Sequence, residues 1–234
     1  MRGLRRVRRV VHVEETGSGW SLVVPLKPLA LAKSRLADAA GEVRPALALA
    51  FVLDTVAAAL SCPRVADVTV VTDDPVAGGR LARLGALVVP DVPAAGLNAA
   101  LRYGAERVRE RGAAGGVAAL NGDLPALRPA ELSHVLQEAA RAPERAFLAD
   151  AAGVGTTLLA AAPGVALAPA FGGASRARHL ASGAREIVLP DVVSVRQDVD
   201  TAGDLRAALA LGLGPRTAAV YAAHSAAVQA PGSG

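Results

Sequence analysis

The sequence predicts an α/β domain: a mostly parallel central sheet with helices on both faces. Three observations carry this. Short Val-, Leu- and Ala-rich runs alternate with longer helix-like segments along most of the 234 residues. The loops that follow four successive strand-like runs hold residues suited to ligands: a lysine loop, Asp73-Asp74, Gly96-Leu97-Asn98 and Gly122-Asp123. Apolar residues make up 52% of the chain and aromatics only 3%, so the core must be layered from Val, Leu and Ala.

The elements follow in order. Trp20 to Val24 reads as a buried strand, with Trp20 packing at its edge. Glu42 to Ser61 reads as a helix, Pro45 being tolerable only in the first turn. Next come a strand (Asp67 to Thr72), a helix (Pro75 to Leu84) and a short strand (Ala86 to Val89). The Gly96-Leu97-Asn98 loop leads into a helix through Arg111, then a strand from Gly116 to Leu120. Asn121-Gly122-Asp123-Leu124-Pro125 precedes a helix from Pro129 to Arg141. Strands are expected at Ala146 to Ala149 and Thr156 to Ala161, a helix from Ser175, a strand at Glu186 to Leu189 and a last helix from Thr201. The domain is expected to span 20–217, with 1–19 a disordered basic leader and 218–234 a flexible Ala-rich tail.

Several function classes lose support. The net charge of +4 is concentrated at the start, where five arginines face Glu14 and Glu15, so the remainder is close to neutral and no nucleic-acid partner is expected. The apolar run from Ala46 to Leu60 falls short of the ~20 residues a membrane span needs, and Asp54 interrupts it. No signal peptide is expected, because the basic start is not followed by a long apolar stretch. One cysteine, Cys62, allows neither an internal disulfide nor a metal cluster, and the chain reads as cytoplasmic. No Gly-Lys-Ser/Thr run and no Gly-x-Gly-x-x-Gly after a strand support an ATPase or a dinucleotide enzyme.

The residues that carry chemistry begin with lysine. The chain holds only two, Lys27 and Lys33, six positions apart in one loop, and uses arginine elsewhere. A compact ammonium suits phosphate oxygens in a way the guanidinium fork does not reproduce. In an open α/β sheet, ligands bind beyond the carboxyl ends of the strands, where the four loops named above converge. Asp123 follows a strand directly, and Asp198 and Asp200 are two apart in an extended segment, which sends their carboxylates to one side. Such a set suits Mg2+ completed by phosphate oxygens and water; Asp123 as a turn residue and Asp200 as a helix cap remain alternatives. Phe171-Gly172-Gly173-Ala174-Ser175 can present backbone N–H groups to an anion, with Thr156 and Thr157 adding hydroxyls, though Ser175 as a simple N-cap serves equally. His134 and His179 lack metal-ligand spacing and read as surface or groove residues.

Together these segments resemble the phospholactate/phosphoenolpyruvate guanylyltransferase family of deazaflavin coenzyme F-420 biosynthesis. The matching stretches are Val24-Pro25-Leu26-Lys27-Pro28, Ala32-Lys33-Ser34-Arg35-Leu36, Val71-Thr72-Asp73-Asp74, Gly96-Leu97-Asn98, Gly122-Asp123-Leu124-Pro125, Gly155-Thr156-Thr157, Phe171 to Ser175, His179 and Asp198-Val199-Asp200-Thr201. The resemblance implies a single-domain nucleotidyltransferase, like the nucleotide-diphospho-sugar transferases. It implies Lys27, Lys33 and Arg35 facing the GTP phosphates, with Asp74, Gly96 and Asn98 on the nucleotide. It further implies Mg2+ at Asp123, Asp198 and Asp200, and a phosphorylated three-carbon acid at Thr157, Gly172 and Ser175. The product would pass to the next enzyme of the pathway. Another phosphorylated acceptor such as 3-phosphoglycerate, or a non-catalytic nucleotide-binding role, stands as the alternative.

Overall fold

The structure is a computed structural model that describes residues 19–29, 36 and 41–229. The arginine-rich leader, most of the lysine loop including Lys33 and Arg35, and the last five residues lie outside the described residues.

Among the described residues, seven strands form one sheet: β1 (Trp20–Pro25), β2 (Val65–Val71), β3 (Leu87–Val89), β4 (Val117–Leu120), β5 (Arg145–Ala149), β6 (Thr156–Ala161) and β7 (Arg185–Glu186). Their order is β3-β2-β1-β4-β6-β5-β7. The strands β1 to β4 are mutually parallel, β6 runs antiparallel to both neighbours, and β7 is parallel to β5. This arrangement has a direct consequence for the site. Where β4 ends, β6 begins, with Leu120 opposite Leu158.

Alternation along the strands divides the core. Leu22, Val24, Val68, Val70, Leu120 and Leu148 face one side, covered by α1 (Arg44–Leu60), α2 (Pro75–Arg83) and α4 (Pro129–Ala139). Val23, Val71, Phe147 and Leu159 face the other with Phe171, under α3 (Leu97–Glu110). This is the period-two pattern of a sheet buried on both faces. Trp20 packs against Gly116, where a Cβ would stand 2.4 Å from the indole.

The remaining helices are α5 (Ser175–Ala181), α6 (Val193–Arg196), α7 (Ala202–Leu211) and α8 (Pro215–Gln229). The sequence reading differs from the structure at three places. The tail expected to be flexible is helical through Gln229, and Val220 and Tyr221 pack on a third cluster with Leu47, Phe51 and Leu205. Its anchor is Asp54, the charge inside the apolar run of α1. The buried carboxylate accepts from the N–H groups of Thr217 (2.7 Å) and Arg216 (3.2 Å), satisfying orphan donors at the start of α8. The expected strand over Glu186–Leu189 is cut to Arg185–Glu186, where the pairing with β5 ends at Phe147 opposite Glu186; Ile187 and Leu189 still pack on the core, and Val188 is 79% exposed. The short α6 had no signal in the sequence.

Candidate active site

The ends of β1, β4 and β6 meet at one place. At β1, the Leu26 N–H donates to the Val71 carbonyl (2.9 Å), and the exposed Lys27 follows. Gly122, just past β4, lies so close to this turn that an added Cβ would stand 3.2 Å from Val24 Cγ1 and 3.7 Å from the Pro25 carbonyl oxygen. The Asn121 N–H donates to the Thr157 carbonyl (2.9 Å), tying the end of β4 to the start of β6. Asp123 comes next and is half-buried. The Leu124 N–H beyond it donates to the Thr55 hydroxyl of α1 (3.0 Å), which itself donates to the Phe51 carbonyl (2.8 Å). Thr55 therefore fixes the turn that carries Asp123, a role no local signal marks across 69 residues.

Thr157 is displaced from the regular ladder. Leu148 pairs with Leu158 but Ala149 with Thr156, so Thr157 is the extra residue of a β-bulge. Bulges re-aim side chains beside active sites. The Thr157 hydroxyl is fully buried, and it has no hydrogen-bond partner among the described residues. A buried hydroxyl left in that state costs about 1–3 kcal/mol, which an incoming acceptor or donor would recover.

The glycine turn lies beside it. The Arg176 N–H donates to the Val154 carbonyl (3.1 Å), and the Arg176 guanidinium makes a two-point ion pair with Glu186 (2.8 and 3.0 Å). Gly172 and Gly173 have φ of 96° and 44°, a left-handed conformation that glycine adopts without strain. Ser175 is buried and is the first residue of α5; the N-cap position belongs to Ala174, so the N-cap reading of Ser175 falls. His179 is fully buried, contrary to the surface or groove reading. Its Nε2 accepts from the Ala170 N–H (3.0 Å), which leaves Nδ1 to carry the proton and donate to the Thr156 hydroxyl (3.0 Å). Burial, with the charges of Arg178 and Arg145, pushes its pKa down to about 4. The imidazole is a neutral brace between β6 and the turn.

Three residues implied on the nucleotide have structural partners. The Asp74 carboxylate caps α2 through the N–H groups of Val76 and Ala77 (both 3.0 Å) and holds the Leu29 N–H of the lysine loop (2.9 Å). The bonds from Ala77 and Leu29 lead the group that keeps its pKa below the usual carboxylate range. Gly96 is the N-cap of α3 with φ of 90°. Asn98 bonds the backbone of Phe171. A cavity of about 390 Å³ opens beside Asp73, Asp74, Gly78 and Val88. A larger one of about 500 Å³, between α1, α2 and α8 under Arg80, Arg83 and Arg216, lies away from these residues.

The Val199 N–H donates to the Asp123 carbonyl (3.1 Å), which lays the Asp198–Asp200 segment against the end of β4. Thr201 and Asp204 form the capping box of α7, so Asp200 is not that helix's cap. Among the described residues, no three His, Cys, Asp or Glu side chains are set as a metal cluster. Mg2+ takes one or two protein carboxylates and keeps waters and phosphate oxygens. The Val199–Asp123 bond sets two aspartate-bearing segments side by side at the end of β4, a donor set of the oxygen type that such an ion takes.

Solved structures define the class of fold. A candidate nucleotide-diphospho-sugar transferase from Desulfovibrio desulfuricans G20 superposes with a TM-score of 0.65 at 16% identity, over 88% of this chain and 95% of that one. A nucleotidyl transferase from Methanothermobacter thermautotroptrophicus gives 0.56 at 19%, over 83% and 98%. The chain has the nucleotide-diphospho-sugar transferase-like fold. The sequence profile of the family described as "Guanylyl transferase CofC like" matches residues 20–222, and the chain belongs to that family of nucleotidyltransferase enzymes. A phosphoenolpyruvate guanylyltransferase of Streptomyces coelicolor is 68% identical over 204 residues, covering 87% of this chain and 96% of its own. One of Thermomonospora curvata is 62% identical over 203 residues, covering 87% and 89%.

Proposed function

We propose that the chain transfers GMP from GTP to phosphoenolpyruvate, or to 2-phospho-L-lactate, forming enolpyruvyl- or lactyl-diphosphoguanosine and pyrophosphate for coenzyme F-420 biosynthesis in the cytoplasm, with the product handed to the next enzyme. The observation that carries this reading is the near-full-length likeness to relatives named phosphoenolpyruvate guanylyltransferase. The buried Thr157 hydroxyl beside the left-handed glycine turn supports a small anion there.

An oxygen of the acid's phosphate attacks the α-phosphorus of GTP. The new O–P bond forms as the bond to the bridging oxygen breaks, and pyrophosphate leaves. A phosphate monoester has a second pKa near ~6, so the nucleophile is already ionised at neutral pH. No side-chain base is required, which agrees with a His179 locked as a neutral brace. Lys27, with Lys33 and Arg35, would offset charge on the triphosphate, while Thr157, Gly172 and Ser175 would hold the acid in line. Asp123, Asp198 and Asp200 would hold Mg2+, which supplies charge neutralisation at the phosphates when bound. Catalysis is then positioning plus electrostatics.

The test is pyrophosphate release from GTP and Mg2+ with phosphoenolpyruvate, 2-phospho-L-lactate and 3-phosphoglycerate in turn. Turnover is expected to be fastest with phosphoenolpyruvate. Release with none of the three acids, or equal release from CTP, would sink the proposal.

A further inference from the structure

We infer that Asn98 is a positioning residue for the acid-binding turn, acting through the backbone of Phe171 rather than by touching the nucleotide. The inference rests on the assignment of Gly172 and Ser175 to the acid. The Asn98 carboxamide is matched to a single peptide unit pair: Oδ1 accepts from the Phe171 N–H (2.8 Å) and Nδ2 donates to the Phe171 carbonyl (3.1 Å). Both functions of the amide are thereby used on one residue, 73 positions away.

The turn needs such a hold. Two consecutive left-handed glycines have more backbone freedom to lose than any other pair of residues. The other side-chain bonds come from the helix the turn leads into. Arg178 donates to the carbonyls of Ala170 and Gly172, and His179 accepts from the Ala170 N–H. Those bonds keep the turn folded on α5. Among the described residues, Asn98 alone bonds Ala170–Gly173 from outside that local unit. It therefore sets where the turn stands relative to the sheet, and so relative to Thr157 and Asp123. Phe171, 7% exposed, packs its ring into the core on the α3 side, so its backbone groups have little access to water if Asn98 is removed.

Asn98 is also the second residue of α3, whose N-cap is Gly96. The clamp thus ties the helix start that follows β3 to the turn that follows β6 in the chain. A residue in that position aligns one substrate's cradle without belonging to it.

The test uses the full chain and Asn98→Ala, with Asn98→Asp as a same-size variant that keeps the acceptor but loses the donor to Phe171. Loss of two neutral hydrogen bonds is expected to raise KM for phosphoenolpyruvate roughly tenfold or more in Asn98→Ala. KM for GTP should stay within about twofold, since a misplaced turn costs only the substrate it aligns. Amide hydrogen exchange supplies a readout that a general loss of stability would not move. Exchange should quicken across residues 170–175 in Asn98→Ala and Asn98→Asp while the α3 interior, 101–108, stays protected. A KM rise confined to GTP, or unchanged exchange at 170–175, would overturn the inference. Should the wild-type chain turn over no phosphorylated acid, the reading of the reaction falls, and the exchange pattern alone upholds or overturns the clamp.

Discussion

At the scale of single residues, His179 shows how a titratable group can matter without taking part in chemistry. Its pKa is held at about 4, below the ordinary 6.5, because a buried imidazolium would lack solvent and could not accept from Ala170. The sign follows from proton counting. Above pH 6.5 both folded and unfolded states are neutral there; below it the unfolded chain takes up a proton that the folded one refuses. Stability should therefore fall between pH 6.5 and about 4, by up to about 3 kcal/mol. Denaturant melts at pH 7.5 and 4.5 check this: His179→Gln should be less stable at pH 7.5 but lose less on acidification, and equal losses would refute it. Gly172 was singled out in the sequence for the close approach of an anion, but the structure gives the glycine a different reason. A Cβ there would meet nothing within 4 Å, whereas φ of 96° strains any other residue. Gly172→Val should raise KM for phosphoenolpyruvate far more than KM for GTP, and the reverse pattern would exchange the two pockets. Lys27 stood out in the sequence by the chain's avoidance of lysine, and its exposed place past β1 suits it for phosphate oxygens. Lys27→Arg should lose activity although charge is kept, because the guanidinium fork has a different reach and shape; normal turnover would make the lysine incidental. Thr157 was singled out in the sequence, but its bulge and the burial of His179 were not legible, because a distant turn and a register shift in a strand leave no mark in local spacing.

At the scale of elements, the strands and long helices were legible within a few residues, because alternation and helix-start prolines are local signals. The last helix was not. The stretch after Gly214 has little apolar patterning, so its helicity had to come from elsewhere, and Asp54 provides it. That aspartate read as an interruption of an apolar helix; in the structure it caps α8 from 162 residues away. Gly214 permits the approach, since an added Cβ would stand 2.4 Å from Asp54 Cγ. Two substitutions follow. Asp54→Ala leaves buried N–H groups without their acceptor and should cost about 1–3 kcal/mol. Gly214→Ala should destabilise by a similar route, pushing the carboxylate off the helix start. Both are read by melting temperature, with a fall of several degrees expected and kcat little changed. If neither variant shifts the melt, α8 is not held by this cap.

At the scale of the whole molecule, parallel topology explains why the convergence of the candidate loops was more legible than the contacts that support them. Four parallel strands deliver the lysine loop, Asp73-Asp74, Gly96 and Asp123 to one edge, and the antiparallel β6 adds Thr157 because it starts where β4 ends. A reader of the sequence needs only the strand order rule to predict that convergence, whereas Thr55, Asn98 and Asp54 act through contacts across the fold that no segment announces. The same topology makes the metal question testable. The Asp198–Asp200 segment is not part of the sheet; it is laid against β4 by the Val199–Asp123 bond. Asp198→Asn and Asp200→Asn keep that backbone contact and the side-chain shape while removing one charge each. Fold stability without ligands should stay near that of the unaltered chain. Turnover at ordinary Mg2+ should fall roughly a hundredfold or more, the scale of losing one preorganised charge partner, with partial recovery as Mg2+ is raised. A second readout does not depend on turnover: GTP with Mg2+ is expected to raise the melting temperature of the unaltered chain, and that rise should shrink in both variants, because ligand stabilisation follows occupancy. If both variants keep that rise and their activity, the Asp198 and Asp200 carboxylates do not face a metal.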